Sequence, residues 1–537
     1  MTNSSRRLAA VAFAATLLAT APGLAVAAPS GPLRVTKPLQ ATNFDPNPAR
    51  TFGSPSMAID PQNALDVFAS AAELRANHCG LMRSTDGGQH WGYLEASPSI
   101  RSYQECLETN AVTQGRLAFG RNHTLYYLLD GYDITDGGKV RSVLLGKSTD
   151  YGATWSTTIV SDNHGKGAGA FRDKPVTGLA VDTSGSNDIV YVGWRREFPG
   201  QDLPPQPMVA VSTDGGTTFS TPLTAVAGVF DTPAGRAPLF AAIPPSSSSM
   251  TPTTPAKPVD VATNFGGVNP RIVVDNKGAV HVLWIATTNG ISDSAPLGHY
   301  MSTSTDHGKT FTVTPVNPFS VNNTSNYEVQ LAWSPDGGPS GTLHVVYEGT
   351  NRPEVANWNQ IFYRNSTDGG ATWTPIKVIN DDDPSQLLVD RIPDIRTAPN
   401  GRIDVVWWST RDNPATVSND AYYAYSSDNG ATWSKNIRIS DVSVNRKIGP
   451  FGNNFDLWAP PGLASTNAYA LVGWDDTRNG NTLVQTQDIY TAAVQYNAVG
   501  GKSATPRYLL AGSIGLLVAG VIMVGLVAVR RRKSALT

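Results

Sequence analysis

The motif Ser-x-Asp-x-Gly-x-x-Trp/Phe occurs six times in this 537-residue chain, at Ser84 to Trp91, Ser148 to Trp155, Ser212 to Phe219, Ser304 to Phe311, Ser366 to Trp373 and Ser426 to Trp433. Its Asp residues (Asp86, Asp150, Asp214, Asp306, Asp368 and Asp428) are spaced by 64, 64, 92, 62 and 60 residues. A near-constant period of this length is the mark of a repeat architecture, in which each unit is one supersecondary element that buries its faces only against its neighbours.

Each box has the chemistry of a hairpin turn. The Asp carboxylate can accept from the backbone N–H groups of its own turn, the Gly supplies a left-handed φ, and the aromatic residue packs between sheets. A turn needs one such box per unit, whereas a catalytic carboxylate does not need six copies, so the boxes are read as structural.

Around the fourth box the strands are legible. Pro270 to Asp275, a turn at Asn276-Lys277-Gly278, Ala279 to Trp284, His299 to Thr303 and Phe311 to Thr314 alternate β-branched and aromatic residues between Gly, Asn and Asp. That pattern predicts four short antiparallel strands, one propeller blade. It recurs from Pro55 to Asp60, from Leu65 to Ala71 and around Val140 to Leu145. Trp408-Ser-Thr-Arg411 leading to Asp420-Ala-Tyr-Tyr423 is echoed by Trp474-Asp-Asp-Thr-Arg478 leading to Asp488-Ile-Tyr490, which reveals a seventh unit whose box has decayed. The expected fold is all-β, a propeller of seven blades, with six as the alternative. A strand near Leu33 to Lys37 is expected to complete the last blade and close the ring.

The 92-residue spacing has a local cause: 224–263 includes Pro244-Pro-Ser-Ser-Ser-Ser249 and Thr251 to Pro258, a composition that cannot bury a core and reads as a flexible insertion. At the N-terminus, Arg6-Arg7, an apolar run from Leu8 to Leu24 and Ala25-Val26-Ala27 predict a cleaved signal peptide over 1–27. At the other end 508–529 carries no charge and is long enough to cross a roughly 30 Å hydrocarbon core. Arg530-Arg531-Arg532-Lys533 then places 530–537 in the cytoplasm by the positive-inside bias. The expected order is a 28–53 segment, a 54–497 propeller outside the cell, a 498–507 linker and one membrane span.

Without its terminal basic residues the chain holds 34 Lys and Arg against 43 Asp and Glu, and no basic stripe marks a nucleic-acid footprint. The only two cysteines, Cys79 and Cys106, read as a disulfide in an exported domain. No P-loop, HExxH, GxSxG elbow or dinucleotide fingerprint appears, so neither a cofactor nor a metal is expected.

Strand parity locates the ligand face. If the boxes join third and fourth strands, the loops joining second to third strands, and those entering the next blade, lie on the opposite side. They carry Arg172-Asp173, Arg195, Arg196, Arg271, Tyr327-Glu328, Arg391, Arg411-Asp412 and Arg478. Arginines gathered around an axis suit an anionic ligand, because a guanidinium pairs with a carboxylate through two parallel hydrogen bonds. For Arg411 and Arg478 the repeated Trp-x-x-x-Arg placement (Trp407 to Arg411, Trp474 to Arg478) favours a scaffolding role; for Arg391 and Arg271 scaffold and ligand stand even. Asp173 fits a turn carboxylate or an acid/base group.

The boxes resemble the Asp-box, or BNR repeat, of the sialidase superfamily, and the resemblance covers roughly residues 54–497. Arg391-Ile392-Pro393, Trp408, Arg411-Asp412 and the box at Ser426 are similar to the opening blade of bacterial exo-α-sialidases. In that family the Phe/Tyr-Arg-Ile-Pro arginine and a second one about twenty residues on grip the sialic acid carboxylate, roles that the resemblance would give to Arg391 and Arg411. Asp390 stands where the family has Phe or Tyr, and the acid/base position falls near Val417, with Asp412 and Asp420 close by. The family's Tyr–Glu couple would fall to Tyr327 and Glu328 only if strand alternation did not point them apart. The implied activity is glycoside hydrolysis on terminal sialic acid. The alternative is a surface propeller that binds a glycan or a protein without catalysis.

Overall fold

A computed structural model of the chain describes residues 32, 34–43, 51–73, 78–94, 104–105, 116–132, 141–162, 171–198, 204–225, 265–288, 298–318, 328–349, 359–383, 385–386, 388–414, 417–449 and 460–496. The expected signal peptide, the membrane span and most of the 224–263 insertion lie outside these residues, as do Tyr327 and Cys106, and with Cys106 the disulfide. Among the described residues no helix is long and apolar enough to cross a membrane, and helical structure is limited to a 3-10 turn, Arg121–His123.

The strands form seven separate antiparallel sheets, so the ring has seven blades and not six. Their innermost strands are Phe52–Asp60, Arg116–Phe119, Arg172–Asp182, Phe265–Val274, Val329–Ser334, Asp390–Thr397 and Gly462–Ser465. The fourth repeat is built as expected, with Val280–Thr288, Gly298–Ser304 and Thr312–Pro318 following its inner strand in order. The boxless unit contributes three strands, Gly462–Ser465, Tyr469–Asp476 and Asp488–Gln495, and the N-terminus completes it: Arg34 and Val35 pair with Gln495 and Val494, and Leu39 and Gln40 with Thr491 and Tyr490. A blade whose outer strand comes from the other end of the chain has no third-to-fourth hairpin, hence no use for a box.

In all six boxes the Ser Oγ–H donates to Asp Oδ1 at 2.7–2.8 Å and accepts the N–H of the Gly four residues on at 2.8–2.9 Å. The aromatic residue reaches the neighbouring blade: Trp91 Nε1 donates to Thr491 Oγ1, and the Trp433 ring stands edge-on to Tyr363 at 4.9 Å. At Gly430 (φ 79°) a Cβ would come within 2.2 Å of the same Tyr363, so turn geometry and blade packing select glycine together. The boxes are joints of the ring.

The inner strands share a second device. Ser54-Pro55, Asn269-Pro270 and Ile392-Pro393 each put a residue with φ of 52–60° before a proline, and the pairing register with the second strand slips at each. Proline cannot donate to a sheet ladder and settles at bulges. At two of them a carboxylate of the preceding blade caps the freed N–H: Glu348 Oε2 accepts from Ile392 at 2.7 Å, and Asp475 Oδ1 from Ser54 at 2.9 Å. A left-handed, β-branched Ile392 is strained, and this inter-blade bond holds it. The bulges also reset which side chains face the axis.

Candidate functional site

A cavity of about 260 Å³ lies among the innermost strands of six of the seven blades, lined by Arg116, Thr177, Arg271, Gln330 and Arg396 with apolar side chains between them. Its polar groups come from different blades and meet only because the ring closes. Parity explains two of them: Arg396 stands three residues after Pro393 and Arg271 one after Pro270, so both follow their bulge on the same face of the strand.

Arg271 is held rigidly. Its Nε donates to Val329 O and its Nη1 to Thr177 O, both at 3.1 Å, and its Nη2 meets Glu328 Oε2 at 2.9 Å. The guanidinium thus ties blades three, four and five together. Arg396 Nη1 donates to Asp394 Oδ1 at 2.7 Å and to Ile395 O at 2.8 Å. Arg116, only 8% exposed, makes no hydrogen bond or ion pair with any described residue, and its Nε is buried without an acceptor. Gln330 Nε2 is a second buried donor without one.

The five charges interact. Burial, and then the positive charge of Arg271, push the Arg116 guanidinium down to about 9, opposed by Asp394 and Glu328. Burial also lowers Arg271, against the pull of Glu328 and Asp394. Glu328 is pushed above the ordinary carboxylate range by burial, with Arg271 and Arg116 holding it down. Three guanidiniums face two carboxylates, which leaves one positive charge uncompensated beside two unused donors. Such an arrangement can accept an anionic oxygen.

Of the residues singled out from sequence, Arg271 and Glu328 are brought together here. Arg391 and Arg411 are elsewhere. Arg391 Nε stands 3.8 Å from Glu348 Oε2 in the seam between blades five and six. Arg411 is consumed by Asp381 (2.9 Å), Asp382 (3.2 Å), Asp390 (3.7 Å) and Asn436 Oδ1 (2.9 Å), and stacks 4.2 Å above Tyr422. Arg478 repeats that arrangement with Asp441 and Asp476 over Tyr490, as equivalent scaffold positions should. Asp412 accepts from Tyr422 OH at 2.7 Å and pairs with Arg438 at 3.3 Å. Asp173 is fully buried, accepts from Arg196 Nε at 2.7 Å and Nη2 at 2.9 Å, and so serves as a structural carboxylate and not an acid/base group open to a ligand. Arg116 and Arg396 were missed. The signal for Arg396 was its parity with Pro393; Arg116 opens a strand with no proline to announce it.

No protein-family model matches the chain, and no curated protein matches it in sequence. Among solved structures it is similar in fold to the Hadza microbial sialidase Hz136, at 16% identity and a TM-score of 0.43 over 80% of this chain and 73% of that one. It is similar also to the α-L-arabinanase of Penicillium chrysogenum, at 13% identity and a TM-score of 0.41 over 70% of this chain and 94% of that one. The Trypanosoma rangeli sialidase is matched at 14% identity and a TM-score of 0.39, over 70% of this chain and 53% of its own.

Proposed function

We propose that this protein is a glycan-acting propeller, displayed outside the cell on its C-terminal span, that takes an acidic sugar into its axial cavity through Arg116, Arg271 and Arg396. The observation that carries the reading is the buried Arg116 guanidinium without a partner among the described residues, beside the equally unsatisfied Gln330 amide. An unpaired buried charge costs several kcal/mol, and a sugar carboxylate entering the cavity would offset that cost. The sialidase-like boxes make sialic acid the most concrete ligand. The charge-free 508–529 segment with its basic tail supports a membrane anchor.

Hydrolysis of the bound sugar is the second reading, and Glu328 favours it. A carboxyl raised by burial beside a sugar site can serve as a proton donor to the bound sugar. The two are separated by experiment. Calorimetry with N-acetylneuraminic acid should show binding that is lost with its methyl ester and weakened at least tenfold in Arg116→Met. Equal binding of acid and ester, or none of either, defeats the acidic-sugar reading. Turnover of a fluorogenic sialoside, abolished by Glu328→Gln, would establish hydrolysis; binding without turnover leaves a glycan-binding propeller.

A further inference from the structure

We propose that Glu328 is a built-in stand-in for the ligand: an acidic sugar entering the axial cavity displaces it from Arg271, and the released carboxyl takes up one proton from solvent. This rests on the acidic-sugar reading above and adds a coupling that the reading does not require.

The geometry singles out one bond as replaceable. Two of the three Arg271 contacts go to backbone carbonyls of blades three and five, so the guanidinium cannot follow a departing partner. Its third, Nη2 to Glu328 Oε2, is the one a ligand carboxylate can take over without disturbing a sheet. Glu328 stands just before the strand Val329–Ser334, outside its ladder, and its side chain is 17% exposed against 7% for Arg271. Asp394 is not replaceable in this way: it lies within the inner strand of blade six, accepts from the Ile395 N–H at 2.9 Å and shares Arg396.

The proton follows from charge. Arg271 on blade four, Arg116 on blade two, and Asp394 and Arg396 on blade six are the charged groups around Glu328 and its partner. In the free protein the 2.9 Å contact with Arg271, together with the charge of Arg116, favours the ionised carboxylate of Glu328 and opposes the upward push of its burial. Once a ligand carboxylate occupies those guanidiniums, Glu328 keeps the burial, loses its hydrogen bond and faces two carboxylates in place of one. Each of these changes favours the protonated form.

Calorimetry of the full chain with N-acetylneuraminic acid at pH 7, in phosphate and in Tris, reads the proton through the difference in buffer ionisation heat. We expect uptake of up to about one proton per sugar, with affinity falling from pH 6 to pH 8 by at most about tenfold per unit. Glu328→Gln should abolish the uptake and flatten the affinity. Carboxyl spectra of the wild-type chain carrying ¹³C-glutamate need no variant: one resonance should move to its protonated position on saturation with the sugar. Binding without uptake, uptake that survives in Glu328→Gln, or glutamates that all stay ionised would each overturn the exchange while the acidic-sugar reading stands. Absence of binding would remove both.

Discussion

Burying a guanidinium without a carboxylate in hydrogen-bond contact is costly, and Arg116 is in that state, with Asp394 and Glu328 acting on it only through their charge. A side chain that weakens the fold and faces a cavity is kept for what enters the cavity. Arg116→Met, close in length and free of charge, is therefore expected to stabilise the free protein by about 1 kcal/mol or more, seen as a raised denaturation midpoint. The same variant should lose acidic-sugar binding. A midpoint that drops would mean that the guanidinium has a structural partner, and would remove the reason for assigning it a ligand. At this scale the sequence was only half legible. Arg271 and Glu328 could be picked out because proline and strand parity mark where inner strands begin. Arg391 stood as open as Arg271 and turns out to lie in a blade seam, whereas Arg411, for which the repeat already favoured a scaffold role, stands among Asp381, Asp382 and Asp390. Which arginine is paired depends on side chains dozens of residues away, and local pattern does not carry that.

Elements, by contrast, announce themselves. The box fixes a turn by local hydrogen bonds alone, so six copies place six hairpins whatever the rest of the chain does, and the seventh blade could be found from the Trp-x-x-x-Arg echo. The inner-strand bulges were not foreseen, because a non-glycine residue with positive φ before proline has no compositional signature; Ser54, Asn269 and Ile392 share nothing else. The structural reading of the boxes makes a sharp expectation. Asp428 accepts from Thr432 N–H at 2.9 Å, from the Thr432 hydroxyl at 2.6 Å and from Ser426 at 2.8 Å. Asp428→Ala removes all three and should cost about 1 kcal/mol in chemical denaturation, with sugar binding unchanged. A binding defect at full stability would show that the boxes do more than hold the turn.

The whole molecule carries two sets of carboxylates that answer to pH with opposite sign. The box set is held low: Thr218, through its hydroxyl and its N–H, keeps Asp214 down to about 2. Such a group contributes stability above its unfolded value near 4, and that contribution is lost as pH falls toward 2. The seam set is held high. Burial, with the charge of Asp476 adding and the Ser54 N–H opposing, pushes Asp475 up to about 7, and burial with Asp382 pushes Asp390 up to about 8 against Arg411. These groups favour the folded ring while protonated; their contribution is full below the unfolded value of about 4, fades as pH rises from there, and is gone above about 7 and about 8. Stability measured by denaturation across pH should therefore peak at about pH 4, falling below it toward about pH 2 and declining above it up to about pH 8. Asp475 is the group to test, because its bond to Ser54 crosses the seam between blade seven and blade one, where the two ends of the chain meet. Asp475→Asn keeps an oxygen for the Ser54 N–H and cannot ionise, so it should raise stability at about pH 8 and leave stability at about pH 4 nearly unchanged. A variant with the wild-type decline would mean that ring closure is insensitive to this carboxyl, and that the decline belongs to Asp390 on the inner strand of blade six.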